Sequence, residues 1–391
     1  MPSDPIVIAA AARTPMGGFL GALKTVTAPQ LGAAAIRAAV ERAGIAPQEV
    51  DEVIMGNVLP AGQGQAPARQ AALGAGLPDS TGCTTINKVC GSGMKAAMIA
   101  HDALALGTNR IMVTGGMESM SNAPYLLPKA RVGLRLGHAE VKDHMFLDGL
   151  EDAYDPGRLM GTYAEATAAK YGYTREAQDR YAITSLTRAQ HAIRSGRFRG
   201  EIVPVTVGSG IVSDDEQPLK ANPDRIPQLK PAFAKDGTVT AANSSSISDG
   251  GAAMVLMTLS EAQRRGITPL ARIVGHATHS QAPAWFTTAP VDAVRKLFEK
   301  TGWNADSTDL FEINEAFAVV AMAAIEDLGL SHERVNIHGG ACALGHPLGA
   351  SGARIMVTLL AALEHHSLKR GIAALCIGGG EATAIALERF V

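Results

Sequence analysis

Apolar residues fall into two textures along this chain. Short continuous runs such as Val53-Ile54-Met55, Ile111-Met112-Val113 and Leu310-Phe311 carry no alternation, the pattern of strands buried on both faces. Longer mixed stretches lie between them. Ala35–Gly44, Ser92–Leu106, Ala293–Gly302 and the run opening at Ser351-Gly352 read as helices.

These textures repeat. The helix around Ala35-Ile36-Arg37 runs to Gly44, and a strand at Val53–Met55 then ends on Gly56-Asn57. The helix around Ala293-Val294-Arg295 runs to Gly302, and Leu310–Ile313 then ends on Asn314. A second pair follows at nearly the same displacement, about 258 residues. The helix from Ser92-Gly93 precedes a strand closed by Gly115-Gly116-Met117-Glu118; the helix from Ser351-Gly352 precedes Gly371–Ile377, closed by Gly378-Gly379-Gly380-Glu381. We read an internal duplication, with halves Pro5–Glu118 and Ala271–Val391 related by a pseudo-twofold axis. Each half runs strand, helix, strand, helix, strand, which predicts a mostly parallel, buried sheet with helices on its faces. The chain thus divides into 1–118, 119–270 and 271–391. The middle segment lacks a counterpart. It holds the Gly-, His- and Arg-rich stretch Lys129–His144, the acidic, Pro-rich Ser213–Pro231 and two helices between Thr162 and Ser195. It reads as an excursion that covers a site and returns to the first half.

Composition narrows the function. With 391 residues, 47% hydrophobic, 4% aromatic and 18% charged, the chain builds a large aliphatic core and is not disordered. A net charge of −2 gives no reason to expect nucleic acid or an anionic membrane as partner. No run of about 18 apolar residues predicts a membrane span. Pro5–Ala12 is too short for a signal core, so the cytoplasm is the expected location. Four cysteines in such a chain make no disulfide scaffold, and without a C-x-x-C pair no metal site is expected.

Ligands of α/β sheets sit beyond strand carboxyl ends, where helix N-termini point. Two segments occupy such places: Asn87-Lys88-Val89-Cys90-Gly91-Ser92-Gly93, and His338 to Gly352 with His346 between Gly345 and Pro347. The duplication aligns Cys90 with Gly349, three residues after His346, so a pseudo-twofold axis brings thiol and imidazole together. A helix start favours a thiolate, and imidazole accepts the thiol proton. Gly91 and Gly93 imply a close backbone approach. Cys376 precedes the glycine run at a strand end, and Asn314 ends the repeated strand. Taken singly, a cysteine there is a core filler and an asparagine a turn residue; their convergence raises them. A rival set, Ser92-Gly93-Met94-Lys95 with Lys300-Thr301-Gly302, matches S-x-x-K and K-T-G of penicillin-binding proteins. It places K-T-G at a helix end instead of on a strand and is set aside.

Together these residues resemble the thiolase family over the whole chain. Asn87–Ala96 resembles its nucleophile block and Asn314-Glu315-Ala316-Phe317 its N-E-A-F block. Gly339–Arg354 resembles its G-H-P block and Cys376–Gly380 its C-x-G-G-G block. The resemblance implies a thiolase-like layered αβαβα fold and acetyl-CoA C-acetyltransferase chemistry: two acetyl-CoA give acetoacetyl-CoA plus CoA, reversibly. It implies that Cys90 carries the acetyl group, His346 takes the thiol proton and Cys376 moves the carbon-bound proton. His346 with a water on Asn314, and the N–H groups of Cys90 and Gly378, would form two oxyanion sites. No metal and no tightly bound cofactor are implied; coenzyme A arrives as substrate. Ser245 is the serine matched to the pantetheine segment, although Ser244 and Ser246 depart from its Ala and Gly. Phe233 matches a residue near the adenine, and Ala316 and Phe317 join the CoA-binding set. Leu219 replaces an arginine of some relatives, leaving Lys220 or Arg225 for the phosphates; His338 has no role assigned. His144-Met145 resembles the short-chain branch, whose Met fills the acyl pocket, and Leu126–His144 its tetramerisation loop, implying a homotetramer. Two alternatives remain open: a broader-range 3-ketoacyl-CoA thiolase of fatty-acid degradation, and a non-catalytic acyl-CoA-binding scaffold.

Overall fold

The computed structural model describes residues 4–390. Residues 1–3 and 391, at the ends of the first and last predicted segments, lie outside the described residues. The first half contains β1 (Ile6–Arg13), α1 (Ala28–Ala43), β2 (Glu52–Gly56), α2 (Pro67–Gly74), β3 (Gly82–Ile86), α3 (Ser92–Ala105) and β4 (Ile111–Ser119). The excursion contributes α4 (Met160–Tyr171) and α5 (Arg175–Arg194) and ends in β5 (Ser248–Thr258). The second half contains β6 (Ala271–Ser280), α6 (Ala289–Thr301), β7 (Leu310–Ile313), α7 (Ala318–Leu328), α8 (Leu348–His365), β8 (Arg370–Ile377) and β9 (Glu381–Glu388).

Helix ends follow local chemistry. Thr27 and Gln30 form a capping box before α1, and Gly44 closes the helix in the left-handed region at φ 64°, as Gly302 closes α6 at φ 72°. Lys300-Thr301-Gly302 is therefore a helix terminus, which removes the penicillin-binding reading.

The strands form one continuous sheet in the order β7-β8-β9-β6-β1-β5-β4-β2-β3. The halves meet where β6 and β1 pair, at Val7–Arg272 and Ile8–Ala271. Outward from that seam the two sides run β6-β9-β8-β7 and β1-β5-β4-β2, each position holding the repeat counterpart of the other. Only β3 is extra. This order corrects one expectation: the last strand of the excursion, β5, is the counterpart of β9. It also corrects the sheet's direction. Only β7–β8, β2–β3 and β2–β4 pair in parallel, whereas the central pairs involving β1, β5, β6 and β9 are antiparallel. The Gly378–Gly380 turn folds β9 straight back on β8, and β5 enters from the opposite end of the sheet. Central strands of both directions are buried on both faces, so apolar runs do not encode direction.

Three large clusters define the layers. α1 and α2 cover one face of the first half's strands, and α6 and α7 cover the second half's outer face. Between the halves, α3 and α8 pack against inner residues of both, including Ile54, Met254, Leu375 and Ile385. α8 is buried from Leu348 to Leu360. This middle layer carries the N-termini of α3 and α8 to the same place.

Candidate active site

Cys90 directly precedes α3, on a loop folded by its own side chains. The Asn87 Oδ1 accepts the Val89 N–H at 2.9 Å, Ser92 Oγ accepts the Lys88 N–H at 2.8 Å, and the same hydroxyl donates to the Val89 carbonyl at 2.7 Å. Val89 sits at φ 45°. A β-branched residue is strained there, at a cost of about 1–3 kcal/mol, so the surrounding bonds hold a conformation the residue does not favour.

The backbone approach inferred at Gly93 is that of α8, whereas Gly91 faces the Ile377 side chain of β8. A Cβ on Gly93 would lie 2.8 Å from the Ala353 nitrogen and 2.9 Å from the Gly349 carbonyl oxygen; one on Gly352 would lie 2.5 Å from the Met94 nitrogen. These contacts let the two helix starts cross in van der Waals contact. Cys90 and His346 consequently line the same cavity, of about 370 Å³, with Gly378.

Charge at this pair differs from the thiolate expectation. Burial pushes the Cys90 thiol up to about 11 despite the opposing N–H groups of Gly378 and of Cys90 itself, and the Glu118 carboxylate adds to the rise. The helix start does not overcome desolvation. His346 moves the other way: burial first, and the Arg354 guanidinium second, push it down to about 3. Its Nδ1 lies 2.5 Å from Ser351 Oγ, which fixes the ring, while Nε2 is buried without a partner. The resting pair is a neutral thiol beside a neutral, proton-accepting imidazole.

Cys376 and Asn314 do not line the cavity; they are buried beside it. Cys376 is fully buried among Tyr163, Phe286, Ala316, Phe317 and Val320. Its thiol is held well above the usual range by burial, with the nearby Cys90 sulfur adding to the shift. Asn314 and Asn57 occupy equivalent strand ends but differ in use. Asn57 Nδ2 donates to Glu118 Oε1 at 2.7 Å. Both side-chain atoms of Asn314 are buried with no protein partner.

Of the other anticipated residues, Ser245, Phe233, Ala316 and Phe317 line the cavity. Ser245 is anchored by its N–H and hydroxyl to the Ala316 carbonyl, at 2.9 and 3.0 Å. Phe233 meets Phe317 edge to face at 6.0 Å. Met145 is buried with Val58, Leu59, Met120 and Leu348, a cluster against which Cys90 packs. His144 is turned from the cavity, held between Asp148 Oδ2 at 2.5 Å and the Ala61 N–H at 3.3 Å. Lys220 is paired with Glu216; neither it nor Arg225 reaches the cavity wall. His338 is buried elsewhere, against Phe198, His365 and His366.

The structure adds residues that the sequence reading passed over. Phe146, Leu150, Leu159 and Met160 from the excursion, with Phe286 and Leu348, make the wall mostly apolar. Glu118 accepts the N–H groups of Val58, Leu59 and Gly349 at 2.8–3.1 Å, tying the strand end of one half to the start of α8 in the other. Its place in the closing Gly-Gly-Met-Glu of the repeat was the available signal.

A duplicated αβαβα fold with a cysteine and an imidazole at crossing helix starts defines a class of acyl-transfer enzymes. Residues 6–260 match the family described as thiolase, N-terminal domain, and residues 267–389 match thiolase, C-terminal domain. The chain belongs to the thiolase family and is an acyltransferase. It is 51% identical to acetyl-CoA acetyltransferase 2 of Arabidopsis thaliana over 98% of this chain and 96% of that protein. It is 48% identical to the acetyl-CoA acetyltransferase of Schizosaccharomyces pombe, covering both chains fully. Among solved structures, the Acat5 thiolase from Ascaris suum in complex with coenzyme A superposes with a TM-score of 0.94 at 43% identity, over 99% of this chain and 100% of that one.

Proposed function

We propose that the chain is an acetyl-CoA C-acetyltransferase that joins two acetyl-CoA into acetoacetyl-CoA plus CoA, and runs the reverse cleavage. The observation that carries this reading is a Cys90 thiol and a neutral His346 ring on one apolar cavity, with Cys376 buried behind the thiol. Cys90 attacks the thioester carbonyl as His346 takes its proton. The N–H groups of Cys90 and Gly378 receive the developing oxyanion. Cys376 starts as a thiol, gives its proton to the departing CoA sulfur and is then a thiolate. It removes a proton from the carbon next to the carbonyl of a second acetyl-CoA. The unpartnered Asn314 amide, through a water, and His346 Nε2 stabilise the enolate oxygen. The enolate carbon attacks acetyl-Cys90, the C–S bond breaks, and the Cys90 sulfur regains its proton from His346.

Coenzyme A enters as substrate along the wall formed by Ser245, Phe233 and Phe317, with no resident cofactor required. Met145 and Leu348 pack beside Cys90 and limit the acyl group to a short chain, which favours this reading over the broader-range thiolase. The four free thiols suit a reducing compartment, the cytoplasm. Among the described residues no helix is long and apolar enough to cross a membrane.

Acid quench after incubation with acetyl-CoA, followed by peptide mapping, should place one acetyl group on Cys90. Cys376→Ala should still acylate but condense at least ~10²-fold more slowly. Acetyl on Cys376 with Cys90 free would overturn the roles. In the cleavage direction, kcat/KM should fall by roughly tenfold or more from four- to six-carbon 3-ketoacyl-CoA, because forcing a methylene into filled space costs about 1–3 kcal/mol. Equal values for four- and ten-carbon substrates would select the broader-range alternative.

A further inference from the structure

His101 and Asp102 lie near the end of α3, away from Cys90, and face His276 of β6. Asp102 Oδ1 is 2.9 Å from His101 Nδ1 and 2.9 Å from His276 Nε2. The two imidazoles meet edge to face, with centroids 5.1 Å apart and planes at 86°. One donor atom from each of the three residues lies within 4.8 Å of the others. Among the described residues, no other three histidine, cysteine or carboxylate groups converge in this way.

We propose that His101, Asp102 and His276 bind a divalent transition-metal ion of the Zn²⁺ type, which clips the end of α3 to β6 across the two halves of the chain. Two imidazoles and one carboxylate suit such borderline ions, whereas Mg²⁺ and Ca²⁺ favour all-oxygen sets. Both rings direct a nitrogen at one oxygen, so their in-plane lone pairs converge once the protons leave. The ion takes the place of the two N–H protons that now bond Asp102, and each neutral imidazole then carries its proton on the other ring nitrogen. Bonds of about 2.0–2.2 Å need Asp102 to draw back so that an ion fits between the three donors, which lie within 4.8 Å of one another. The Asp102 side chain, 56% exposed, is free to make that shift, and water completes the coordination from the open side.

The surroundings bear on this in both directions. The last turn of α3 carries no basic residue, so a cation there complements the helix dipole. Burial lowers the His276 pKa despite its carboxylate neighbour. Opposing the ion is the Lys300 ammonium, which donates to the His276 carbonyl at 2.9 Å. It is a single charge against a carboxylate and two imidazole donors. Eleven residues of mostly helical chain separate His101 from Cys90, about 16 Å at the helical rise. The ion therefore braces the helix without touching the acyl chemistry, and the proposal is independent of the substrate assignment.

The test uses the full chain with Cys90 alkylated by iodoacetamide, so that the active-site thiol cannot compete. Equilibrium dialysis against Zn²⁺ with elemental analysis should give one ion per chain. His276→Gln and Asp102→Asn should each weaken binding at least ~10-fold while leaving acetyl transfer by the unalkylated protein unchanged. With Co²⁺ as probe, d–d absorption should appear without a thiolate charge-transfer band. Affinity should fall as pH drops through the histidine range, because the ligands must be deprotonated. No stoichiometric binding, binding unchanged in both variants, or a thiolate band would each overturn the site.

Discussion

At the residue scale, desolvation decides the protonation of Cys90. The start of α3 and two N–H groups favour a thiolate on Cys90, yet burial leaves the thiol at about 11. Below that value the proton stays on, so the thiolate fraction, and with it alkylation by iodoacetamide, should climb about tenfold per pH unit between pH 7 and 9. A rate already flat at pH 7 would show a preformed thiolate and return the expectation drawn from the helix start. The two asparagines make a second residue-scale case. Asn57→Ala strips a donor from buried Glu118 and should lower stability by about 1–3 kcal/mol. Asn314→Ala removes an amide that bonds nothing in the protein and should leave the melting temperature nearly unchanged while lowering kcat. Denaturation curves and turnover on the two variants separate the roles; equal loss of stability in both would contradict the assignment of Asn314 to the substrate side.

At the scale of elements, the crossing of α3 and α8 sets the site. Gly93 stands 2.8–2.9 Å, by its absent Cβ, from backbone atoms of α8, and backbone cannot rotate away as a side chain does. Gly93→Ala should therefore push the helices apart, costing about 1–3 kcal/mol and lowering acylation of Cys90 together with stability. Gly200, with open space around its would-be Cβ, is the control, and its Ala variant should stay within about 0.5 kcal/mol. Chemical denaturation and the acetyl-labelling rate read both effects; normal labelling in Gly93→Ala would mean that the crossing does not position the thiol.

At the scale of the whole molecule, the excursion is bound to the sheet by a buried ionic group. Arg13 on β1 donates to Glu201 at 2.5 Å and to Asp215 at 2.7 and 2.9 Å, all without exposure to solvent. One stretch of the excursion is left uncovered. Tyr125, Val132, Leu134, Leu136 and Val141 are exposed, Leu136 at 99%, an apolar surface that a monomer has no reason to display. The homotetramer implied by the resemblance of Leu126–His144 would cover this surface. Leu136→Glu should reduce the particle size measured by sedimentation or light scattering while leaving Cys90 acylation intact. An unchanged size, or a monomeric parent protein, would remove that assignment.

The sequence alone determined the duplication and the family, and it put forward the catalytic set. Each was carried by local, ordered signals: a repeat at one displacement, glycine-flanked Cys90 and His346, and strand-end Asn314 and Cys376. A repeat also implies an axis, which is why Cys90 and His346 could be brought together before any coordinates. The tertiary structure decided what depends on direction, burial and distant partners. The central strands run antiparallel because β9 folds back on β8 and β5 returns from the far excursion, and apolar runs look alike in either direction. Cys90 is a thiol because a dry environment outweighs a helix terminus, a balance that spacing does not express. Glu118 bridges two halves, and His276 meets His101 and Asp102 from about 175 residues away. No local motif marks contacts closed over such separations; only the packed fold, which makes them neighbours, does.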